Sequence, residues 1–199
     1  MKAFVRSKRA TGGLFTIWGG FFILNIKKVI YTSLLTALGI LLPIAFHSIP
    51  NAGGIFLPMH IPVLLCGLIC GFPYGLICGI ITPLLSTLMT GMPPAAILPG
   101  MLCELAVYGT VSSLLISFIR FKNTYVNIYI SLIVAMLAGR IVSGLLNAFI
   151  FMAGKYSMQI WIASSFLTAL PGIVFQLLLI PAIIVVLRRA RVIEITFKH

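Results

Sequence analysis

Three ionisable side chains stand inside the apolar parts of this sequence: His60, Glu104 and Arg140. An ionisable group at membrane depth is expensive, so each is a candidate for function by default. Their neighbours sharpen the pattern. Glu104 and Tyr108 are four residues apart and share a helix face, and Arg140, Ser143, Gly144 and Asn147 form one stripe. The planar guanidinium of Arg140 suits a carboxylate or a phosphate through paired hydrogen bonds. Two readings of these residues stay open. Arg140 pairs with Glu104 and locks the helices, or one or both of them meet a ligand; the two are compatible, because a pair can open to receive an anion. For His60 a structural hydrogen bond and a ligand contact are equally good readings. Tyr108 reads first as a packing residue and second as a ligand contact.

The same residues do not make a catalytic centre. A Ser/His protease needs a base near its serine, and His60 is the one histidine within the apolar helices. A metal site needs several His, Cys or carboxylate ligands, and one internal histidine with one internal carboxylate is too few. Cys66, Cys70, Cys78 and Cys103 all lie in apolar runs without a CxxC spacing, and they read as buried structural thiols. No phosphate-binding loop is present, so this chain cannot power transport alone. The expectation is no catalytic residue, no metal and no cofactor.

What positions these groups is a set of apolar helices. Hydrophobic residues make up 61% of the chain and charged residues 8%, against about 25% charged in a globular domain. Residues 55–119 hold three apolar runs, broken only by the uncharged turns Gly-Phe-Pro-Tyr-Gly and Gly-Met-Pro-Pro. Backbone polar groups in lipid must be paired internally, which leaves helices or a closed barrel, and the runs lack a barrel's alternation. A span takes roughly 20 residues, which gives an all-α membrane protein, a bundle of six transmembrane helices over about 29–46, 55–71, 74–90, 95–119, 124–152 and 159–187. Pro171 and Pro181 should bend the last. Gly67, Gly71, Gly75 and Gly79 recur every four residues, a pattern for close helix packing.

Charge then sets the orientation. The formal net charge of +12 would suggest nucleic acid in a soluble chain, but here the basic residues flank the apolar runs. Six spans place both termini on one side, and twelve of the fourteen Lys and Arg fall on that side. Lys155 faces the other way and Arg140 lies within a span. The positive-inside rule makes the termini cytoplasmic. His60, Glu104, Arg140 and Asn147 then converge on a cavity open to the outside. Three parts result: a basic and apolar segment at 1–28, reading as interfacial, with Trp18 in the headgroup zone; the membrane domain at 29–187; and a basic cytoplasmic tail at 188–199.

The central motifs Met-His-Ile-Pro, Gly-Phe-Pro-Tyr-Gly, Thr-Pro-Leu-Leu-Ser, Thr-Gly-Met-Pro-Pro and Glu-Leu-Ala-Val-Tyr-Gly occur in this order, followed by Ala-Gly-Arg-Ile-Val-Ser-Gly-Leu-Leu-Asn-Ala. Together they resemble the substrate-binding S components of energy-coupling factor (ECF) vitamin transporters, over about 29–187. The resemblance implies a multi-pass protein of the bacterial cell membrane that binds a vitamin from outside. It also implies partners: a transmembrane coupling protein and two cytoplasmic ATPases. The family's ligand positions correspond here to Asn51, Glu104, Tyr108, Arg140, Asn147 and Gln159, with His60 added from its own place in the bundle. The family's Ala-x-x-x-Ala docking face corresponds to Ser33 and Ala37, so a small-x-x-x-small surface carries over while the first alanine does not. The vitamin is of the pantothenate, pyridoxine or riboflavin class. Arg140 favours an acidic one such as pantothenate, unless Glu104 neutralises it. The alternatives are a membrane-embedded enzyme acting on a lipid-like substrate and a structural membrane subunit.

Overall fold

The computed structural model describes residues 25–46, 52–119, 121, 123–151 and 158–193. The expectations for the N-terminal segment, for Asn51 and the loop around it, for Arg120, Lys122 and Lys155, and for the end of the tail lie outside those residues. The described chain is helical, with no strand among the described residues.

Helix α1 (Ile26–Ala45) starts three residues before the expected 29, because the Asn25 side chain accepts a hydrogen bond from the Lys27 amide at 3.1 Å and caps it. The expected second span is divided. A short α2 (Ala52–Phe56) and a longer α3 (His60–Cys70) are separated at Leu57, whose φ is 51°. The proline at 58 is the physical cause, since its ring disfavours helical geometry in the residue before it. Helix α4 (Tyr74–Thr90) ends at Gly91, whose left-handed conformation (φ 71°, ψ 6°) suits a residue without a side chain. Helix α5 (Leu98–Phe118) begins later than 95, with Pro99 in its first turn. Helix α6 (Thr124–Leu146) is capped by Asn123 and widens into a π-helical turn over Asn147–Phe151. The expected last span is not one helix. It comprises α7 (Met158–Ile162), a π-helical stretch (Ala163–Thr168) and α8 (Leu170–Arg189). Pro171 opens α8 instead of bending a continuous helix, and Pro181 lies inside it.

Five apolar segments are long enough to cross a membrane: Ile26–Ala45, Gly53–Cys70, Leu98–Phe118, Thr124–Ile150 and Leu170–Arg189. The second reaches that length only when α2 and α3 are counted together. Helix α4, with 17 residues, is a shorter apolar helix.

The centre of the bundle is α3, buried on almost every side and packed by α1, α4, α5 and α8. The glycine repeat explains how the helices come so close. A methyl group added at Gly75 would meet the Gly109 carbonyl and, at 2.8 Å, the Cα of Gly67; one at Gly79 would meet the Leu105 carbonyl carbon at 2.7 Å. Small residues let main chains touch, which is how helices associate when no water drives them together. Cys66, Cys70 and Cys78 are free and fully buried beside this seam, and Cys103 is half-buried. Thr36 donates to Cys78 at 3.5 Å and Cys66 to Thr32 at 3.6 Å, stitching α1 to α4 and α3.

Outward faces are apolar. Ile30, Leu34, Leu38 and Leu41 on α1, and Ile133, Leu137, Ile141 and Leu145 on α6, are exposed at helical spacing. A soluble monomer does not present such a belt; lipid accepts it. The two ends of the bundle differ in charge. The start of α1, with Lys27 and Lys28, adjoins the start of α4 through Asn25 N donating to the Tyr74 hydroxyl at 2.9 Å. The end of α8, with Arg188, Arg189 and Arg191, joins the same end through Tyr31 donating to the Val192 carbonyl at 2.8 Å. Every described Lys and Arg except Arg140 is in those two groups.

Candidate functional site

The other end of the bundle holds a cavity of about 690 Å³. Its walls come from the end of α1 (Pro43, Phe46), the Leu57–Met59 break, the start of α3 (His60), the Met92–Pro94 turn, the first turns of α5, the last turns of α6 and Ser164, Ser165 and Ala169 before α8. Small-ligand sites have this size and this make-up, an apolar lining with a few convergent polar groups. Here those groups are Glu104, Arg140, His60, Ser143 and Asn147.

The periodicity of α6 delivers its share. Ile128, Leu132, Ala135, Met136 and Gly139 bury one face, and Arg140, Ser143 and Gly144 continue that stripe into the cavity end. Ser143 donates to the Gly100 carbonyl at 3.1 Å, and Asn147 donates to Ser143 at 3.4 Å, so α6 is pinned to the start of α5. On α5, Tyr108 donates to Glu104 Oε1 at 2.8 Å, the four-residue spacing acting as expected. His60 Nε2 lies 3.7 Å from the same oxygen, and its ring meets the Tyr108 ring edge-on with centroids 5.3 Å apart. Tyr108 is fully buried and is not part of the cavity wall; it holds Glu104 from behind, with its ring against Gly139.

Arg140 is 4% exposed and its guanidinium sits over the Phe166 ring, 5.8 Å from the centroid. The Trp161 indole donates to the Arg140 carbonyl at 3.2 Å and meets Phe166 edge-on at 5.5 Å. No Arg140 nitrogen lies within 4.0 Å of a described carboxylate oxygen. Nε and Nη2 of Arg140 and both ring nitrogens of His60 are buried without a hydrogen-bond partner among the described residues. A buried donor without a partner costs about 1–3 kcal/mol, more when charged, and these atoms have essentially no surface of their own in the cavity. Among the described residues no group of three His, Cys, Asp or Glu could hold a metal ion.

The cavity thus gathers four of the sequence-selected residues, His60, Glu104, Arg140 and Asn147. Tyr108 stands behind them. Gln159 is exposed and outside the lining, and Asn51 lies outside the described residues. Ser33 and Ala37 are exposed on α1, away from the cavity. Sequence reasoning passed over the Met92–Pro94 turn, which it read as a connection, and Phe166. The aromatic offered no signal, because its place beside Arg140 depends on the π-helical register of Ala163–Thr168.

Apolar spans around a cavity with a few convergent polar groups define a multi-pass membrane protein. Residues 27–184 match the family described as the ECF transporter substrate-specific component, and the chain belongs to that family. It is therefore a transporter subunit, of a family that works with an ECF coupling protein, ATPases and a small-molecule substrate. No curated protein and no solved structure matches the chain.

Proposed function

We propose that this chain captures a vitamin or vitamin precursor from outside a bacterial cell in the 690 Å³ cavity. It then delivers the molecule inward with a membrane coupling protein and two cytoplasmic ATPases. The observation that carries this is the cavity itself: His60, Glu104, Arg140, Ser143 and Asn147 meet in one largely apolar wall at a single end of the bundle. Pantothenate, pyridoxine and riboflavin represent the substrate class. The purified chain in detergent should bind one member of such a panel saturably, without ATP and without partners. A flat response to every member in calorimetry would withdraw the reading, and release of a chemically altered product would replace it with an enzyme.

The orientation belongs to the same proposal. Six crossings, with α4 as the shortest, put both termini in the cytoplasm, and the cavity end lies opposite the basic end. The positive-inside rule supports this sidedness. In a cysteine-free background, a single cysteine at Asn51 should react in intact cells with a membrane-impermeant maleimide, while one at Lys122 should stay unlabelled. The reverse pattern would turn the cavity toward the cytoplasm. The exposed Ser33 and Ala37 face of α1 is the proposed seat of the coupling protein, and the part of the N-terminal segment before α1 remains the proposed interfacial segment.

A further inference from the structure

The basic end of the bundle has an open groove of its own, of about 670 Å³, between the start of α6 and the end of α8. Arg188 and Arg189 line it together with Asn123, Thr124, Tyr125 and Val185. Both arginines are exposed, and neither meets a carboxylate among the described residues. The one described acid, Glu104, lines the cavity at the opposite end. Two guanidinium groups on one open wall, with no acid beside them, attract an anion. The fork of N–H groups on each can hold a phosphate by two bonds at once.

What lies beyond the groove says which phosphate. Its lining continues into apolar stripes that run along both helices toward the middle of the bundle. On α6, Tyr125, Tyr129 and Ile133 follow at four-residue spacing, and all three are exposed. On α8, Arg189, Val185, Ala182 and Leu178 share one face at helical spacing; Val185 is half-buried, and Ala182 and Leu178 are exposed. Each wall is therefore polar or charged at the bundle end and apolar along its length. Tyr125 and Tyr129 stand at the transition, and such amphipathic rings favour the membrane–water boundary. A free phosphate would use the arginines alone, whereas an amphiphile would use the whole wall.

We propose that this groove seats an anionic phospholipid. Its phosphodiester lies on Arg188 and Arg189, and its acyl chains follow the stripes of α6 and α8. Basic pockets between spans take such headgroups by the same attraction. The seat is separate from the cavity at the other end. It also differs from a diffuse pull of all the basic residues on the membrane, in which Lys27 and Lys28, outside the groove, would count as much as the arginines.

The test is a lipid titration of the purified full chain in neutral detergent, read by native mass spectrometry. The probes are dioleoylphosphatidylglycerol and dioleoylphosphatidylcholine, which share their chains and differ in net charge. Each arginine beside an anionic headgroup should contribute about fivefold, so the wild-type chain should prefer phosphatidylglycerol by about twenty-fivefold. Arg188→Gln combined with Arg189→Gln should remove that preference. Lys27→Gln combined with Lys28→Gln, with the same loss of charge, should leave it within about twofold. Glycerol 1-phosphate, a headgroup without chains, should fail to displace the lipid at equal concentration. Equal affinity for the two lipids overturns the proposal, and so does an equal loss of preference in the lysine variant. Displacement by glycerol 1-phosphate overturns the lipid as occupant and makes the groove a site for soluble phosphates. The two wild-type comparisons decide the matter even if a variant fails to fold.

Discussion

Ala37→Trp should abolish uptake in cells while leaving ligand affinity of the isolated chain within about twofold, since a surface change away from the site moves free energies by only about 0.5 kcal/mol. Helix α1 turns Thr32, Leu35, Thr36, Gly39 and Ile40 inward, and Ser33 and Ala37 lie one turn apart on its exposed side. Small residues one turn apart let a partner helix approach closely, and in lipid that close packing is the main attraction available. An indole at position 37 holds the partner off. The α1 residues that reach the cavity are Pro43 and Phe46, well along the helix from Ala37, so the ligand site is untouched. The experiment pairs uptake in cells that also express the coupling protein and ATPases with calorimetry on the purified chain. Normal uptake would show that the coupling protein docks elsewhere. Loss of both uptake and binding would point instead to damage in the bundle.

The second large effect is at Arg140. Moving a guanidinium to membrane depth costs about 2.5–3.5 kcal/mol on insertion scales, so its partner matters. If that partner is a ligand carboxylate, Arg140→Lys keeps the charge but loses the two-pronged edge. Affinity should then fall by about tenfold or more, equivalent to about 1.4 kcal/mol, with little change in melting temperature. If the partner is Glu104 and the pair simply fastens α5 to α6, Arg140→Lys should be nearly silent. Arg140→Ala should then lower the melting temperature, because a buried carboxylate loses its cationic partner. The separation of more than 4.0 Å between the two groups favours the first outcome. Affinity unchanged in both variants would take Arg140 out of the site and remove the preference for an acidic ligand.

Much of this architecture is legible in the sequence, because lipid imposes simple rules. Uncharged turns between long apolar runs mark most helix ends within a few residues, and the family can be read from motifs in a fixed order. The stripe from Arg140 to Asn147 comes from helical spacing alone and does reach the cavity. Hidden features are those where the backbone leaves the regular helix. The break at Leu57 moves His60 to the first turn of its own helix, and only Pro58 hints at it. The π-helical stretch Ala163–Thr168 shifts the helical register, and Phe166 lands beside Arg140. Apolar periodicity cannot announce such a shift, because serine, alanine and phenylalanine there suit either register.

The contact of Gly75 and Gly79 with the main chain of α5 has a mechanical consequence. Where side chains meet, a joint can yield by changing rotamers; where carbonyls meet glycine Cα atoms, nothing soft lies between. Helices α4 and α5 therefore behave as one rigid plate, with α3 clamped to it through Gly67 and Ser112. A hinge that admits and releases a molecule has softer places to act than this plate: the Leu57 break and the irregular segment Ala163–Thr168 before α8, both in the cavity wall.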